Sequence, residues 1–238
     1  LPLYRQHQRM ANSGVNVSRP NLTKLVHRTL ELLEPVYLSI LSSICSSEII
    51  AMDETPIKAG RTLAGKMQTA YFWPVMAEDA VAFIYSNSRG SDVIKDNIGK
   101  NCKVLLSDGL SAYEKFISEN NHIEHAQCWA HVRRKFFEAK EHSPIQSEKV
   151  IDLIRILFKF EEDITNEDTE EQILQKRRTL SLPVIDELFL YLHKLWFEDF
   201  IDKDSLLGKA VFYAKEREKG LRCYLDNPGV DISNNKIE

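Results

Sequence analysis

Between residues 48 and 128 three strand-like runs follow one another directly, and then helix and strand alternate. "EIIAMDE", "MQTAYFWPVMA" and "AVAFIYSNS" are rich in β-branched and aromatic residues and are separated by turn residues. "GSDVIKDNIGK" then reads as a helix, "NCKVLLSD" as a strand, "SAYEKFISEN" as a helix and "HIEHAQCWAH" as a strand. Successive strands passing into alternation imply an α/β chain with a mixed sheet (α+β character) and helices on its faces. Beyond residue 130, "VRRKFFEAKEH", "EKVIDLIRILFKFEEDI", "EEQILQKRRTLSLPVIDELFLYLHKLWFEDF" and "LLGKAVFYAKEREKGLRCYL" repeat apolar residues at helical spacing, with Pro144 and Pro183 as punctuation. The first 45 residues are helical as well. "LYRQHQRMANSG" stops at Gly14, and Ser18 with Pro20 opens a second helix carrying Leu22, Leu25, Val26, Leu30 and Leu33. Two short helices about a Gly-containing turn, the second basic, have the outline of a helix-turn-helix; a helical lead-in packed on the main domain has the same outline.

A chain of 238 residues can bury one large core, alone or with an appendage. No apolar run approaches the ~20 residues of a membrane helix. "LPLYRQHQRM" has no hydrophobic signal core, and Cys45, Cys102, Cys128 and Cys223 lack paired spacing, which points to free thiols in a cytoplasmic protein. A net charge of −4 would disfavour a polyanionic partner if it were evenly spread. It is not. Residues 1–30 hold Arg5, Arg9, Arg19, Lys24 and Arg28 without an acid, whereas residues 161–171 hold seven acids without a base. The acidic stretch reads as a solvated loop or helix face.

The chemistry lies at strand ends. The apolar run from Ile49 to Met52 ends in Asp53 and Glu54, and Pro56 is expected to stop regular pairing. Val104, Leu105 and Leu106 run likewise into Ser107, Asp108 and Gly109. Two carboxylates on neighbouring strands repel unless protonated or bridged by a divalent cation. Hard oxygen ligands suit Mg²⁺ or Mn²⁺, the ions of phosphoryl transfer. The competing reading makes Asp108 a cap for the following helix. Adjacent strand side chains face opposite ways, so one of Asp53 and Glu54 serves the site and the other is solvent-facing or structural.

"CWAHVRRKFFEA" places Cys128, Trp129, His131, Arg133, Arg134 and Lys135 at a strand-to-helix junction. Its basic run is either a phosphate contact or a solvated helix face. His122, His125, Cys128 and His131 recur every three residues, which matches no common zinc spacing, and a strand would not converge them. "GRTLAGKM" fits a P-loop until Met67, where Ser or Thr is required, and reads better as a hairpin turn. In "DISNNKIE", Asp231, Ser233, Asn234 and Asn235 are helix-starting residues and Glu238 falls in the first turn.

"MDETPIK", "LLSDGLSAY", "CWAHVRRKFFEA" and "DISNNKIE", in that order behind the N-terminal lead-in, resemble the DDE transposases of the bacterial insertion-sequence family IS66 over essentially the whole chain. The resemblance implies an RNase H-like (retroviral-integrase-like) core over residues 48–142 and a short helical N-terminal segment over 1–47. A mainly helical insertion would occupy 143–228, and the start of a truncated catalytic helix 229–238. It implies Asp53, Asp108 and Glu238 as the three catalytic carboxylates and ligands of Mg²⁺, with Mn²⁺ as substitute. Cys128 and His131 match a C-x-x-H signature with a supporting role. The implied activity is nicking of DNA and joining of the freed 3′-hydroxyl to a target, in a homodimer or synaptic multimer at the bacterial nucleoid. Arg133, Arg134 and Lys135, with Arg19, Lys24 and Arg28, would meet DNA. Family members continue past residue 238, which implies the catalytic portion of a longer protein. Two other readings stand beside this one: a DNA-binding remnant without chemistry, and an RNase H-like nuclease that cuts without joining.

Overall fold

A computed structural model of the chain describes all residues except 1, 64, 65, 79, 198–200 and 238, and gives only the backbone at 60–63 and 66. The chain divides into two units, residues 1–43 and 44–238. In the first, α1 (Leu3–Asn12) closes at Gly14, whose φ of 81° is left-handed, with the Gly14 N–H donating to the Ala11 carbonyl. Ser18 caps α2 (Arg19–Cys45) as expected, its Oγ accepting the Asn21 N–H at 3.4 Å. The second helix is not short. It runs for 27 residues, because the apolar period continues through Ile44 and Pro35 removes only one ladder bond.

The second unit is built on β1 (Ile49–Met52), β2 (Thr55–Leu63), β3 (Lys66–Ala77), β4 (Ala80–Ser86), β5 (Val104–Ser107) and β6 (Glu124–Gln127). β3 pairs antiparallel with β1, β2 and β4; β5 is parallel to β1, and β6 is parallel to β5. One register carries β1 into β2 along β3. Met52 lies opposite Val75, the Asp53 N–H donates to the Pro74 carbonyl, and Thr55 lies opposite Phe72. Pro56 therefore does not stop pairing; it faces Tyr71 on a strand at the end of the sheet order, where a missing N–H costs little. The hairpin read in "GRTLAGKM" is present as the pairing of Leu63 with Lys66, with far more strand around it than was anticipated.

Helices α3 (Ser91–Asn97) and α4 (Ser111–Glu119) alternate with the later strands, and α5 (Trp129–Ala139) follows β6 directly. α6 (Pro144–Glu162) opens on Pro144 as expected. Pro183 does not break the next helix. α7 (Glu170–Lys176), a π-helical turn (Arg177–Ser181) and α8 (Leu182–Phe197) are continuous, since the widened turn already alters the hydrogen-bond ladder where Pro183 lacks its N–H. α9 (Leu206–Glu216) and α10 (Glu218–Arg222) complete the helical part.

α5 is central to the core. Trp129, Val132 and Phe136 are fully buried among Val150, Ile154 and Leu157 of α6 and Val211 of α9. The Trp129 indole donates to the Leu221 carbonyl at 2.9 Å, and its backbone N–H donates to Ile232. The acidic stretch is not merely solvated. Glu161 receives the buried Arg177 guanidinium at 2.7 and 3.0 Å, Asp168 pairs with Lys176, and Thr169 forms a capping box with Gln172 at the start of α7. Arg177 also donates to the carbonyls of Tyr224, Asn227 and Val230, fixing the approach to residues 231–237. Residues 234–237 form a turn in which the Ile237 N–H donates to the Asn234 carbonyl, and Glu238 lies outside the described residues.

Candidate metal centre

The β1–β5 register pairs Ile49 with Val104 and Ala51 with Leu106, so continuing each strand by two residues brings Asp53 level with Asp108. Both leave the carboxyl ends of adjacent parallel strands, where open α/β sheets place their ligands. β6 lies beside β5 and passes through Cys128 into α5, whose first turn carries His131. Asp53, Asp108 and His131 accordingly converge, their ligand atoms all within 4.8 Å of one another.

Each side chain is held from the backbone upward. Asp53 is tied to β3 through its N–H and is nearly buried. Asp108 Oδ1 accepts the Leu110 N–H at 2.9 Å, closing the turn into α4, which has no side-chain cap of its own. Asp108 thus closes the turn and also belongs to the cluster. Cys128 is buried, and its N–H donates to the Ser107 carbonyl at 3.2 Å, which anchors the junction that delivers His131. Among the described residues no His/Cys/Asp/Glu group of three or more converges on one point apart from this one, so the three-residue His/Cys spacing gathers no zinc site. His125 instead shares a 2.8 Å hydrogen bond with Ser107 and contacts Gln127; burial, reinforced by Arg217, pushes its pKa down to about 4.

Glu54 is not part of this cluster and is held in an ion pair instead. Its Oε1 receives Arg89 Nη2 at 2.6 Å and Nε at 3.2 Å while its side chain is 2% exposed. Burial pushes its pKa up to about 7; the Arg89 hydrogen bond opposes this, and the charges of Asp108 and Asp53 add to it. Tyr113, fully buried and edge-on to Trp73, is raised by burial and by the same three carboxylates. Arg89 and Tyr113 carry no local motif, and only the burial of Glu54 reveals Arg89.

Arg133, Arg134 and Lys135 are exposed on α5 just beyond His131, with Lys135 Nζ 3.9 Å from Glu138. Arg19, Lys24 and Arg28 are exposed on α2 in the other unit, Arg19 lying over the Tyr4 ring. The sequence reading missed Tyr213 and Arg217. The Gly109 N–H donates to Tyr213 Oη at 3.2 Å, and Arg217 Nη2 donates back to the Gly109 carbonyl at 3.2 Å, so α9 and its C-terminal cap grip the loop that carries Asp108.

Two carboxylate oxygens and one imidazole nitrogen make a donor set of the kind that can hold a divalent cation. Residues 1–238 match the model of the family described as "Transposase IS66 family". The chain belongs to this family. Among curated relatives, this IS66-family chain is 26% identical over 257 residues to the uncharacterized protein y4qI of Sinorhizobium fredii (strain NBRC 101917 / NGR234), covering 100% of the chain and 47% of the relative. It is 26% identical over 253 residues to the uncharacterized protein y4jD of the same organism, covering 100% of the chain and 49% of that protein. It thus spans about half the length of the curated relatives it matches. Among its described residues no helix is long and apolar enough to cross a membrane.

Proposed function

We propose that the chain is the catalytic portion of a DDE transposase, which cleaves a DNA strand and joins the freed 3′-hydroxyl to target DNA. The observation that carries this reading is the convergence of Asp53 and Asp108, with His131, at the carboxyl ends of neighbouring parallel strands. The sheet supports an RNase H-like core: β3 is antiparallel to both β1 and β4, and β5 and β6 extend the other side parallel to β1.

Asp53 and Asp108, together with Glu238, would hold the divalent cation, Mg²⁺ or Mn²⁺, and His131 stands within reach of both aspartates. A cation bound there supplies Lewis-acid stabilisation of the charge that develops on the phosphate oxygens. Arg133, Arg134 and Lys135, on the turns of α5 after His131, set the phosphodiester backbone against the site without reading its sequence. The working species is a homodimer or larger synaptic multimer on transposon-end and target DNA.

The test uses the full-length protein on plasmid carrying the element's ends, with Mn²⁺ or Mg²⁺. Asp53→Asn and Asp108→Asn are each expected to abolish both nicking and strand joining; retained cleavage overturns the assignment. Wild-type cleavage without joining would point to a nuclease.

A further inference from the structure

Beside the carboxylate centre, α5, α8 and α9 enclose a cleft of about 500 Å³, within the ~300–1,000 Å³ range of ligand sites. Its aromatic wall is Trp196 and Phe212, whose rings lie 5.8 Å apart at 32°, and Phe212 is 50% exposed. Its rim is basic: Lys135, Lys203, Lys209 and Arg217 line it against one carboxylate, Asp204. Lys203 Nζ stands 4.8 Å from the Trp196 ring, and Arg217 lies 4.1 Å over Tyr213. A half-exposed ring and a partly buried one, flanked by cations, are what an unpaired nucleotide strand needs, rings for its bases and ammonium groups for its phosphates. A duplex, with its bases stacked inside, has no use for such rings.

The cleft also touches the Asp108 loop. Tyr213 and Arg217 form one wall and are the same two residues that hydrogen-bond the Gly109 backbone. A Cβ on Gly109 would stand 2.3 Å from Arg217 Nε, which shows how closely the two sites abut. Lys135 lies one turn of α5 beyond His131.

We propose that this cleft is a binding site for unpaired nucleotides of DNA next to the scissile phosphate, with a base stacked on Trp196 and Phe212 and its flanking phosphates on Lys135, Lys203 and Lys209. The inference deepens the proposed function and takes its substrate, DNA, from that reading. Strand cleavage and joining leave single-stranded ends, and the cleft holds such an end beside Asp108.

The experiment measures binding of a fluorescein-labelled oligothymidylate and of a duplex of equal length by anisotropy, in EDTA, with the 238-residue chain. Phe212→Ala and Trp196→Ala are each expected to weaken single-strand binding about 5- to 150-fold, the range that one base–aromatic stack contributes, and to leave duplex binding within about twofold. Trp73 and Trp129 are fully buried, so quenching of tryptophan fluorescence by the oligonucleotide reports Trp196; Trp196→Phe should keep the affinity and lose the quench. Circular dichroism and thermal melting of each variant exclude misfolding, and exposed Phe212 supplies a variant whose fold is not at stake. No single-strand binding, equal affinity in Phe212→Ala, or binding without quench overturns the proposal. Because metal is absent, Asp108→Asn should still bind the single strand. Failure of the catalytic reading, seen as cleavage surviving Asp108→Asn, is therefore a separate result.

Discussion

Glu54 makes stability fall with pH in a window that the structure defines. Its pKa moves from the ordinary 4.5 to about 7, chiefly because burial penalises the charged carboxylate, with the charges of Asp108 and Asp53 adding to the effect. At ~1.36 kcal/mol per pH unit this difference amounts to about 3 kcal/mol. The sign follows from proton counting. Between about pH 4.5 and 7 the folded chain binds the Glu54 proton and the unfolded chain does not, so folding stability declines as pH rises. The stability contributed by neutral Glu54 is complete below about 4.5 and lost as pH climbs through about 7. Glu54→Gln keeps the shape and an acceptor for Arg89 but cannot ionise. Urea denaturation of both proteins in EDTA, from about pH 5 to pH 8, should show the variant gaining on the wild type by up to about 3 kcal/mol. A difference between the two that stays constant across the window would refute the reasoning, because it would mean that Glu54 titrates as it does in water.

Three further perturbations test other parts of the structure. Arg177→Met leaves Glu161 without its partner and the carbonyls of Tyr224, Asn227, Pro228 and Val230 without that donor, and should cost about 3–5 kcal/mol, lowering the melting temperature by roughly 6–20 °C in calorimetry. Mn²⁺ at about a hundredfold over its dissociation constant should stabilise the chain by about 2.7 kcal/mol in a thermal-shift assay, and Asp108→Asn should erase that gain. Gly220→Ala sets a methyl 2.6 Å from the His125 carbonyl and 2.5 Å from Gln127 Cγ, an overpacking that should cost about 1–3 kcal/mol in urea denaturation.

Strand ends and helix periods were legible because they are local. Ile49–Met52 and Val104–Ser107 are apolar, short and followed by acids, and the sheet uses them as such. Thr55–Leu63 was not legible as a strand, since Pro56 and Gly60 are poor strand formers and only the partner β3 makes the stretch extended. Pro183 misled for a related reason: a proline forbids one hydrogen bond, not a helix, when a π-helical turn supplies the slack. At the site, Asp53 and Asp108 could be found from sequence because their strands announce them. His131 was placed as support rather than among the carboxylates, because its position depends on where α5 begins relative to β6. Arg89, Tyr213 and Arg217 reach the site from residues far along the chain, and no spacing encodes that.

The adjacency of Asp53 and Glu54 now has a physical account. Because β1 continues into β2 in one register, successive side chains alternate, and Asp53 goes to the cluster with Asp108 and His131 while Glu54 goes to Arg89. The second carboxylate does not simply add negative charge beneath the first. With its pKa raised to about 7 by burial, Glu54 carries less charge at neutral pH than an ordinary carboxylate, and its pairing with Arg89 offsets the part that is charged. The charge facing a cation would therefore come mainly from Asp53 and Asp108. A cation held between the aspartates would reverse that pressure: it would cancel the repulsion from Asp108 and Asp53, lower the Glu54 pKa and strengthen the bond to Arg89. Cation binding and the Glu54–Arg89 pair would then reinforce each other through the electrostatic field.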